Sequence, residues 1–162
     1  MADKEQDGSP EAPTAVGWGA ISAANQALIM DHYRNPRNRS PVDAPDVDAT
    51  EVNLFCGDEC TFRARLTGGV LSPVGTEGAG CSICQASLSL MSEAVQGMTP
   101  AQALHLSALF TRMMRGEAMD DGEKSLLGEL TGLVAVRSYP VRVKCALLAW
   151  WALDQSLSAY AP

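Results

Sequence analysis

Residues 78–87 (GAGCSICQAS) constrain the fold more than any other stretch of the sequence. Gly78 and Gly80 allow a sharp bend, Cys81 follows at once, and the apolar spacing from Ser82 onward is typical of a helix. A cysteine at a helix start has a lowered thiol pKa, because the helix dipole favours the thiolate. The stretch therefore predicts a helix that begins at a reactive cysteine.

The cysteine content indicates thiol or metal chemistry rather than a set of disulfides. The N-terminus (MADKEQD) is acidic and polar, unlike a secretory signal, so we expect a cytoplasmic location. In that reducing compartment, cysteines bind metals or react more often than they pair as disulfides. Inert burial is the alternative, because free cysteine is among the most buried residue types. The odd set of cysteines comprises Cys56, Cys60, Cys81, Cys84 and Cys145.

Length and charge narrow the functional class. With 162 residues, the chain is long enough for one domain with a sizeable core. The net charge of −7 and the scattered basic residues argue against nucleic-acid binding, and no apolar run has the length of a membrane span. Residues 1–19 have few large apolar side chains, which predicts a disordered tail ahead of a single domain over residues 20–160.

The first part of this domain is predicted to hold one helix and then extended structure. The helix is expected to begin after Ser22, a suitable N-cap, and to end before Pro36, because proline disfavours helical geometry at the residue before it. Residues 38–50 are predicted to form a loop. Residues 52–55 are predicted to be an extended stretch that leads to Cys56.

A β-hairpin is predicted next. Residues 61–66 alternate apolar and polar side chains, which indicates a half-buried strand. Gly68 and Gly69 supply the turn, and residues 70–74 start the return strand. Glycines are expected to break this strand just before Cys81: Gly75, Gly78 and Gly80.

The rest of the chain is predicted to be helical. Helices are expected over residues 82–96 and 99–115, with a short one near residues 120–131. The last helix has Ser138 as a candidate cap and Pro140 in its first turn. The order of elements predicts an α+β fold, in which a small antiparallel sheet of about three strands packs against several helices.

Cysteine spacing alone suggests a four-cysteine zinc ribbon. In that interpretation Cys56-x3-Cys60 and Cys81-x2-Cys84 close a structural zinc site, and Cys145 is a spare core thiol. Two features argue against it. An alternating strand, not a turn, follows Cys60, and the chain is large enough to fold without a metal.

A second interpretation joins Cys56, Asp58, Cys81 and Cys145 in one metal site. Cys56 and Asp58 lie two residues apart, so they share a side of an extended segment. Arg142 lies three residues before Cys145 and can bring positive charge to the same neighbourhood. A carboxylate in place of a fourth thiolate makes the site more labile, because a hard oxygen ligand holds a borderline metal less firmly than sulfur. Such a site can offer a thiolate to an incoming sulfur atom.

The sequence at these places resembles the NifU/IscU-like family of iron–sulfur cluster assembly proteins over about residues 25–155. Two departures, and a long segment between the second and third matching cysteines, resemble the SufU type of the SUF system. Lys144 stands where IscU-type scaffolds carry a histidine, and residues 138–142 (SYPVR) replace their Leu-Pro-Pro-Val-Lys stretch. The matching pieces are residues 33–38 (YRNPRN), 56–58 (CGD), 78–83 (GAGCSI), 85–87 (QAS) and 140–146 (PVRVKCA).

This resemblance implies a zinc site and a role in sulfur transfer. Carried over position by position, the zinc ligands are Cys56, Asp58, Cys81 and Cys145. The resemblance also implies a sulfur acceptor for a pyridoxal-phosphate cysteine desulfurase of the SufS type, a co-substrate more than a stand-alone enzyme. Cys56 is the expected persulfide acceptor, because it lies in a loop that can reach a partner. Arg142 is expected to stabilise the freed thiolate or Asp58.

Several alternatives stay open at this point. The same thiolates could hold iron or a [2Fe–2S] cluster, which would make the protein a scaffold that passes clusters to apo-proteins. The sulfur could pass onward to a separate scaffold, or the zinc could be purely structural. Cys60 and Cys84 are predicted to be core thiols, although Cys84 could also substitute as a ligand.

Overall fold

A computed structural model describes Gly19 and residues 21–161. The predicted disordered tail, residues 1–19, therefore lies outside the described residues except for its last one. Within the described part, three strands and five α-helices confirm the α+β prediction. In chain order the elements are α1 (Ala23–Arg34), β1 (Val47–Val52), β2 (Glu59–Thr67), β3 (Val70–Ala79), α2 (Ser82–Val95), α3 (Pro100–Met114), α4 (Asp121–Leu127), a 3-10 helix (Gly128–Ser138), α5 (Pro140–Ser156) and a short 3-10 turn (Ser158–Tyr160).

The sheet is antiparallel, with strand order β1-β2-β3. Alternate residues of the central strand are fully buried, namely Cys60, Phe62 and Ala64. Their side chains join the hydrophobic core that α2 and α5 complete, which confirms the strand predicted over residues 61–66. The sheet thus fixes Cys60, and with it the start of β2, against the helices.

The first strand lies upstream of its predicted place. Residues 38–50 are not all loop, because β1 begins at Val47. Of residues 52–55, which were predicted to be extended, only Val52 belongs to a strand, as the last residue of β1. β1 is an edge strand in which only Val47 is buried, so it lacks the strong alternation that marks β2. Leu54 and Phe55 are 91% and 92% exposed in the turn that follows.

The second strand of the hairpin is also longer than predicted, because Gly75 and Gly78 do not break it, and it ends only before Gly80. β3 continues through Gly75 and Gly78 to Ala79. A Cβ atom at Gly75 would lie 2.6 Å from the Ser40 carbonyl oxygen, and one at Gly78 would lie 2.6 Å from a methyl group of Leu88. These glycines therefore allow neighbouring segments to approach the strand closely.

Local capping explains where most helices begin. Ser22 accepts a hydrogen bond from the Asn25 amide at 3.3 Å, and Thr99 and Asp120 each form a capping box. The predicted cap Ser138 is wrong, because it is the last residue of the 3-10 helix and Tyr139 precedes α5 without a side-chain cap.

A buried network joins α2, α3 and α5. The Trp150 ring stacks on Phe110 with centroids 4.6 Å apart, and its indole N–H donates to Ser87 Oγ at 3.2 Å. Ser87 in turn donates to the Ala146 carbonyl oxygen at 2.6 Å. This network holds α5 against α2 next to Cys145. No helix among residues 21–161 is both long and apolar enough to cross a membrane.

His32 gives the fold a testable pH dependence. It is buried, its Nδ1 lies 2.7 Å from Ser89 Oγ, and burial together with the Arg37 charge lowers its pKa below 6.5. The unfolded chain therefore takes up a proton at this histidine before the folded chain does. Stability should fall as the pH drops below about 6.5, and His32→Asn should flatten this dependence. Denaturant unfolding at several pH values on either side of about 6.5 gives the free energy of unfolding of the wild type and of His32→Asn. The same pH dependence in both proteins would contradict this role of His32.

Candidate metal centre

Three separate parts of the fold supply the predicted ligands. Cys56 lies in the turn after β1, Asp58 directly precedes β2, Cys81 is the N-cap residue of α2, and Cys145 lies in α5. Gly57 adopts a φ of +73°, a conformation that glycine enters without a Cβ penalty. The sharp turn at this glycine brings Cys56 and Asp58 to the same place.

The turn between β1 and β2 is closed by its own backbone. The Gly57 amide donates to the Asn53 carbonyl oxygen at 2.7 Å, and the Asn53 amide donates to the Asp58 carbonyl oxygen at 2.8 Å. The Asn53 side chain also accepts from the Phe55 amide at 3.1 Å. These bonds let the turn present Cys56 to solvent while Asp58 enters the protein.

Three of the four predicted ligands converge closely. One ligand atom each from Cys56, Asp58 and Cys145 lies within 4.8 Å of the other two. Cys56 is exposed, whereas Asp58 and Cys145 are buried. Cys81 is half-buried and interacts with the Cys145 thiol, although it lies outside that group of three. The structure thus brings three predicted ligands together and places the fourth beside them.

The donor groups fit a bound metal ion. Asp58 Oδ2 is buried and has no hydrogen-bond partner among residues 21–161, an arrangement that is costly unless a cation satisfies the oxygen. Gly80 leaves the room that this carboxylate needs, because a Cβ atom there would lie 2.5 Å from the Asp58 carboxyl carbon. Thiolates combined with one carboxylate suit zinc or iron better than magnesium or calcium, which prefer oxygen ligands.

The thiols of Cys81 and Cys145 differ in pKa. The Cys145 thiol lowers the pKa of Cys81 to about 6, and the Cys84 backbone and Arg142 act in the same direction against burial. The neighbouring Cys81 raises the pKa of Cys145, as do burial and Asp58. Cys81 is therefore the thiol of this pair that ionises first. The main cause is the Cys145 thiol, and the backbone at the helix start, on which the prediction rested, contributes less.

Arg142 lies beside the thiols of this centre. Burial works to lower its pKa, but interactions with Cys81 and Cys145 hold the pKa above its ordinary value. A guanidinium group beside two thiols favours their ionised forms. Arg142 can therefore balance the negative charge of the thiolates at this centre.

The two remaining cysteines are core thiols, as predicted. Cys60 and Cys84 are fully buried, and their Sγ atoms lie 3.2 Å from each other. The zinc-ribbon interpretation is wrong, because Cys60 contacts Cys84 across β2 and α2, and the carboxylate of Asp58 joins Cys56 and Cys145 instead.

An exposed pair of apolar residues, Leu54 and Phe55, lies beside the centre and is only weakly indicated by the sequence. The Leu54–Phe55 tip, defined by these two residues, projects next to Cys56, and Lys144 Nζ lies 5.0 Å from the centroid of the Phe55 ring. Two apolar residues after Val52 suggest a continuing strand, but Asn53 and the glycine that follows Cys56 are typical of a turn.

Comparisons with known proteins match this chain to one family. The model of the family described as "NifU-like N terminal domain" matches residues 24–161. The zinc-dependent sulfurtransferase SufU of Bacillus subtilis is 39% identical over 132 residues, which cover 81% of this chain and 87% of that protein. The iron–sulfur cluster assembly scaffold protein IscU of Thermotoga maritima is 36% identical over 129 residues, or 80% of this chain and 89% of that one.

A solved structure has the same fold. It is a protein of Fervidobacterium islandicum described as an iron–sulfur cluster assembly scaffold for the SUF system, with 32% sequence identity and a TM-score of 0.77. The alignment covers 88% of this chain and 99% of that one. Together with the family model, these matches confirm the resemblance seen in the sequence: the chain belongs to the family of NifU-like N-terminal domains and is similar to its SufU and IscU members.

Proposed function

We propose that this protein is a zinc-bound sulfur acceptor for a pyridoxal-phosphate cysteine desulfurase of the SufS type in iron–sulfur cluster biogenesis. The observation that carries the proposal is the exposure of Cys56 beside the buried Asp58 and Cys145. A purely structural zinc site is normally closed by four cysteine or histidine ligands, whereas this one has a carboxylate and an exposed thiol. The name of the Bacillus subtilis relative supports the choice of zinc and of sulfur transfer.

Zinc would be held by Cys56, Asp58, Cys81 and Cys145. The buried Asp58 oxygen, which finds no hydrogen-bond partner in the described part of the chain, supports a cation here. The low pKa of Cys81 supplies a ready thiolate. When bound, zinc would supply a Lewis acid that keeps the cysteines deprotonated near neutral pH. Arg142 would balance the remaining negative charge.

Cys56 would accept the sulfur. Its thiolate would attack the outer sulfur of a persulfide on the desulfurase, and the sulfur–sulfur bond of that persulfide would break. The electron pair of the broken bond would leave with the desulfurase cysteine as a thiolate, and Cys56 would carry the new persulfide. The exposure of Cys56 gives the partner access to this thiol, while Asp58 and Cys145 stay buried.

Elemental analysis of the purified protein, together with its visible spectrum, tests this proposal. We expect one zinc ion per chain, no colour, and stimulation of a cysteine desulfurase by the zinc-loaded protein. A preparation without metal, or one that leaves the desulfurase rate unchanged, would contradict the proposal. Removal of the zinc with a chelator should abolish the stimulation.

A cluster scaffold is the second candidate, because the Thermotoga maritima and Fervidobacterium islandicum relatives are described as scaffolds. The same measurement separates the two, since iron with acid-labile sulfide and a brown colour would indicate a scaffold. Lys144, where IscU-type scaffolds carry histidine, favours the sulfur acceptor.

The Leu54–Phe55 tip is expected to contribute to docking of the desulfurase. It is the exposed apolar surface next to the acceptor Cys56, and aromatic side chains often dominate binding at interfaces. Phe55→Ala should raise the concentration of this protein needed for half-maximal stimulation roughly five- to tenfold, with little change in the maximal rate. The matched control is Leu126→Ala, since Leu126 is 60% exposed on α4. Equal effects of the two substitutions would exclude a specific role for Phe55.

A further inference from the structure

A second pair of thiols lies in the core between the sheet and the helices. Cys60 on β2 and Cys84 on α2 are both fully buried, and their Sγ atoms are 3.2 Å apart. Neither residue is among the four proposed zinc ligands, and their contact with each other leaves Cys84 outside the group of Cys56, Asp58 and Cys145. The sequence separation of 24 residues shows that the fold itself creates this contact.

The separation of these sulfur atoms suits a covalent bond better than a shared metal ion. Two thiolates on a tetrahedral zinc, each about 2.3 Å from the metal, lie about 3.8 Å apart. A disulfide bond is about 2.05 Å long, so the sulfur atoms need to approach by only about 1 Å. Modest side-chain rotation within the core can provide this movement.

Arg39 places a positive charge beside the pair. This half-buried residue donates to the Gly78 carbonyl oxygen at 3.3 Å and to the Gln85 side chain, and its charge interacts with both Cys60 and Cys84. Its Nε is buried and has no hydrogen-bond partner within the described part of the chain. A guanidinium group held in this way can stabilise negative charge that develops on either sulfur during a reaction.

We propose that Cys60 and Cys84 are a redox-active dithiol that forms an intramolecular disulfide with hydrogen peroxide, an oxidant small enough to enter a closed core. One sulfur attacks a peroxide oxygen, the O–O bond breaks, and a sulfenic acid and one water result. The second sulfur then attacks the sulfenic sulfur and displaces its oxygen as a second water. Two electrons pass from the thiols to the peroxide, and both thiol protons leave in the water.

The proposed disulfide would lie close to the metal centre, although neither of its cysteines is one of the four proposed ligands. Cys60 lies two residues after Asp58 on the same extended segment, and Cys84 lies in the first turn of the helix that Cys81 begins. The disulfide would therefore tie together the two elements that present Asp58 and Cys81. This inference does not depend on the sulfur acceptor proposal, because it requires neither zinc nor a desulfurase.

Mass spectrometry of the full-length protein tests the proposal. The protein as purified is treated with increasing hydrogen peroxide, unfolded, alkylated and digested without reduction. Cleavage before Asp58 separates Cys56 from Cys60, and cleavage after Arg63 and Arg65 separates Cys60 from the later cysteines. Fragment ions within residues 81–84 then distinguish Cys81 from Cys84. We expect a peptide pair linked through Cys60 and Cys84 that has lost two hydrogen atoms and escapes alkylation.

Two variants control the assignment. Cys84→Ala should abolish the linked peptide, whereas Cys56→Ala should leave it unchanged. The proposal is overturned if Cys60 and Cys84 are still alkylated after a peroxide dose that fully blocks Cys56. It is also overturned if either cysteine links mainly to Cys81 or Cys145. Because the decisive observation is made on the unaltered protein, it does not depend on how well the variants fold.

Discussion

Cys56→Ala is expected to abolish sulfur uptake and to reduce desulfurase activity to the level of the desulfurase alone. Cys56 is the exposed thiol of the metal centre, and the other ligands are buried or half-buried, so no second thiol offers equal access to a bulky partner. Persulfide transfer requires a thiolate in contact with the donor sulfur, and alanine supplies none. Alkylation with a persulfide-specific reagent after incubation with desulfurase and cysteine measures the uptake directly.

Cys60→Ala is the matched control for this prediction, because it also removes one thiol but leaves the metal centre's ligands in place. It should retain most of the stimulation if the protein is folded, which circular dichroism verifies. Sulfur uptake by Cys56→Ala at the wild-type rate would show that another cysteine is the acceptor. Zinc content should be measured in parallel, because loss of the metal would be a separate cause of inactivity.

Gly80→Ala is expected to weaken zinc binding without removing any ligand. Gly80 adopts a φ of +149°, and a Cβ atom there would lie 2.5 Å from the carboxyl carbon of Asp58. The substitution must therefore displace the carboxylate, the backbone before Cys81, or both. Changes in the groups that orient a metal's ligands typically reduce affinity about 10- to 100-fold. Competition with a coloured zinc chelator of known affinity measures this loss.

The control for Gly80→Ala is Gly68→Ala in the β2–β3 turn. Gly68 also has a positive φ, +60°, but a Cβ atom there would meet nothing within 4 Å. This substitution should cost some stability through backbone strain while zinc affinity stays the same. Equal zinc affinities for Gly80→Ala and the wild type would show that Asp58 is not held in place by this close packing.

Features with a strong local signal could be predicted from the sequence. Alternation over residues 61–66 specified β2, and Thr99 followed by proline marked the start of α3. β1 could not be placed, because an edge strand with one buried residue differs little in pattern from a polar loop. The short helix predicted near residues 120–131 corresponds to α4 and the start of the 3-10 helix Gly128–Ser138. The rest of that 3-10 helix was not predicted, since its packing against other helices, more than its local sequence, determines it.

The candidate site was predicted by two different routes. Asp58 and Cys56 could be paired from their spacing alone, whereas Cys145 was joined to them as one of two interpretations, which the family resemblance then favoured. Spacing grouped Cys60 with Cys84 only within the zinc ribbon, which the strand after Cys60 argued against. Burial could be expected for each of these two cysteines separately, but their direct contact comes from the packing of β2 on α2.

The network around Trp150 has a consequence for how the metal centre would come apart. It fastens the helix that carries Cys145 to the helix that Cys81 begins, through Ser87 and stacked aromatic rings. The turn that carries Cys56, by contrast, is held mainly by its own backbone bonds. The centre is therefore held unequally, because α2 and α5 are fastened to each other while the turn that carries Cys56 is attached more loosely. Outward movement of this turn would present the Cys56 thiol to a partner, while Cys81 and Cys145 would keep their positions for its return.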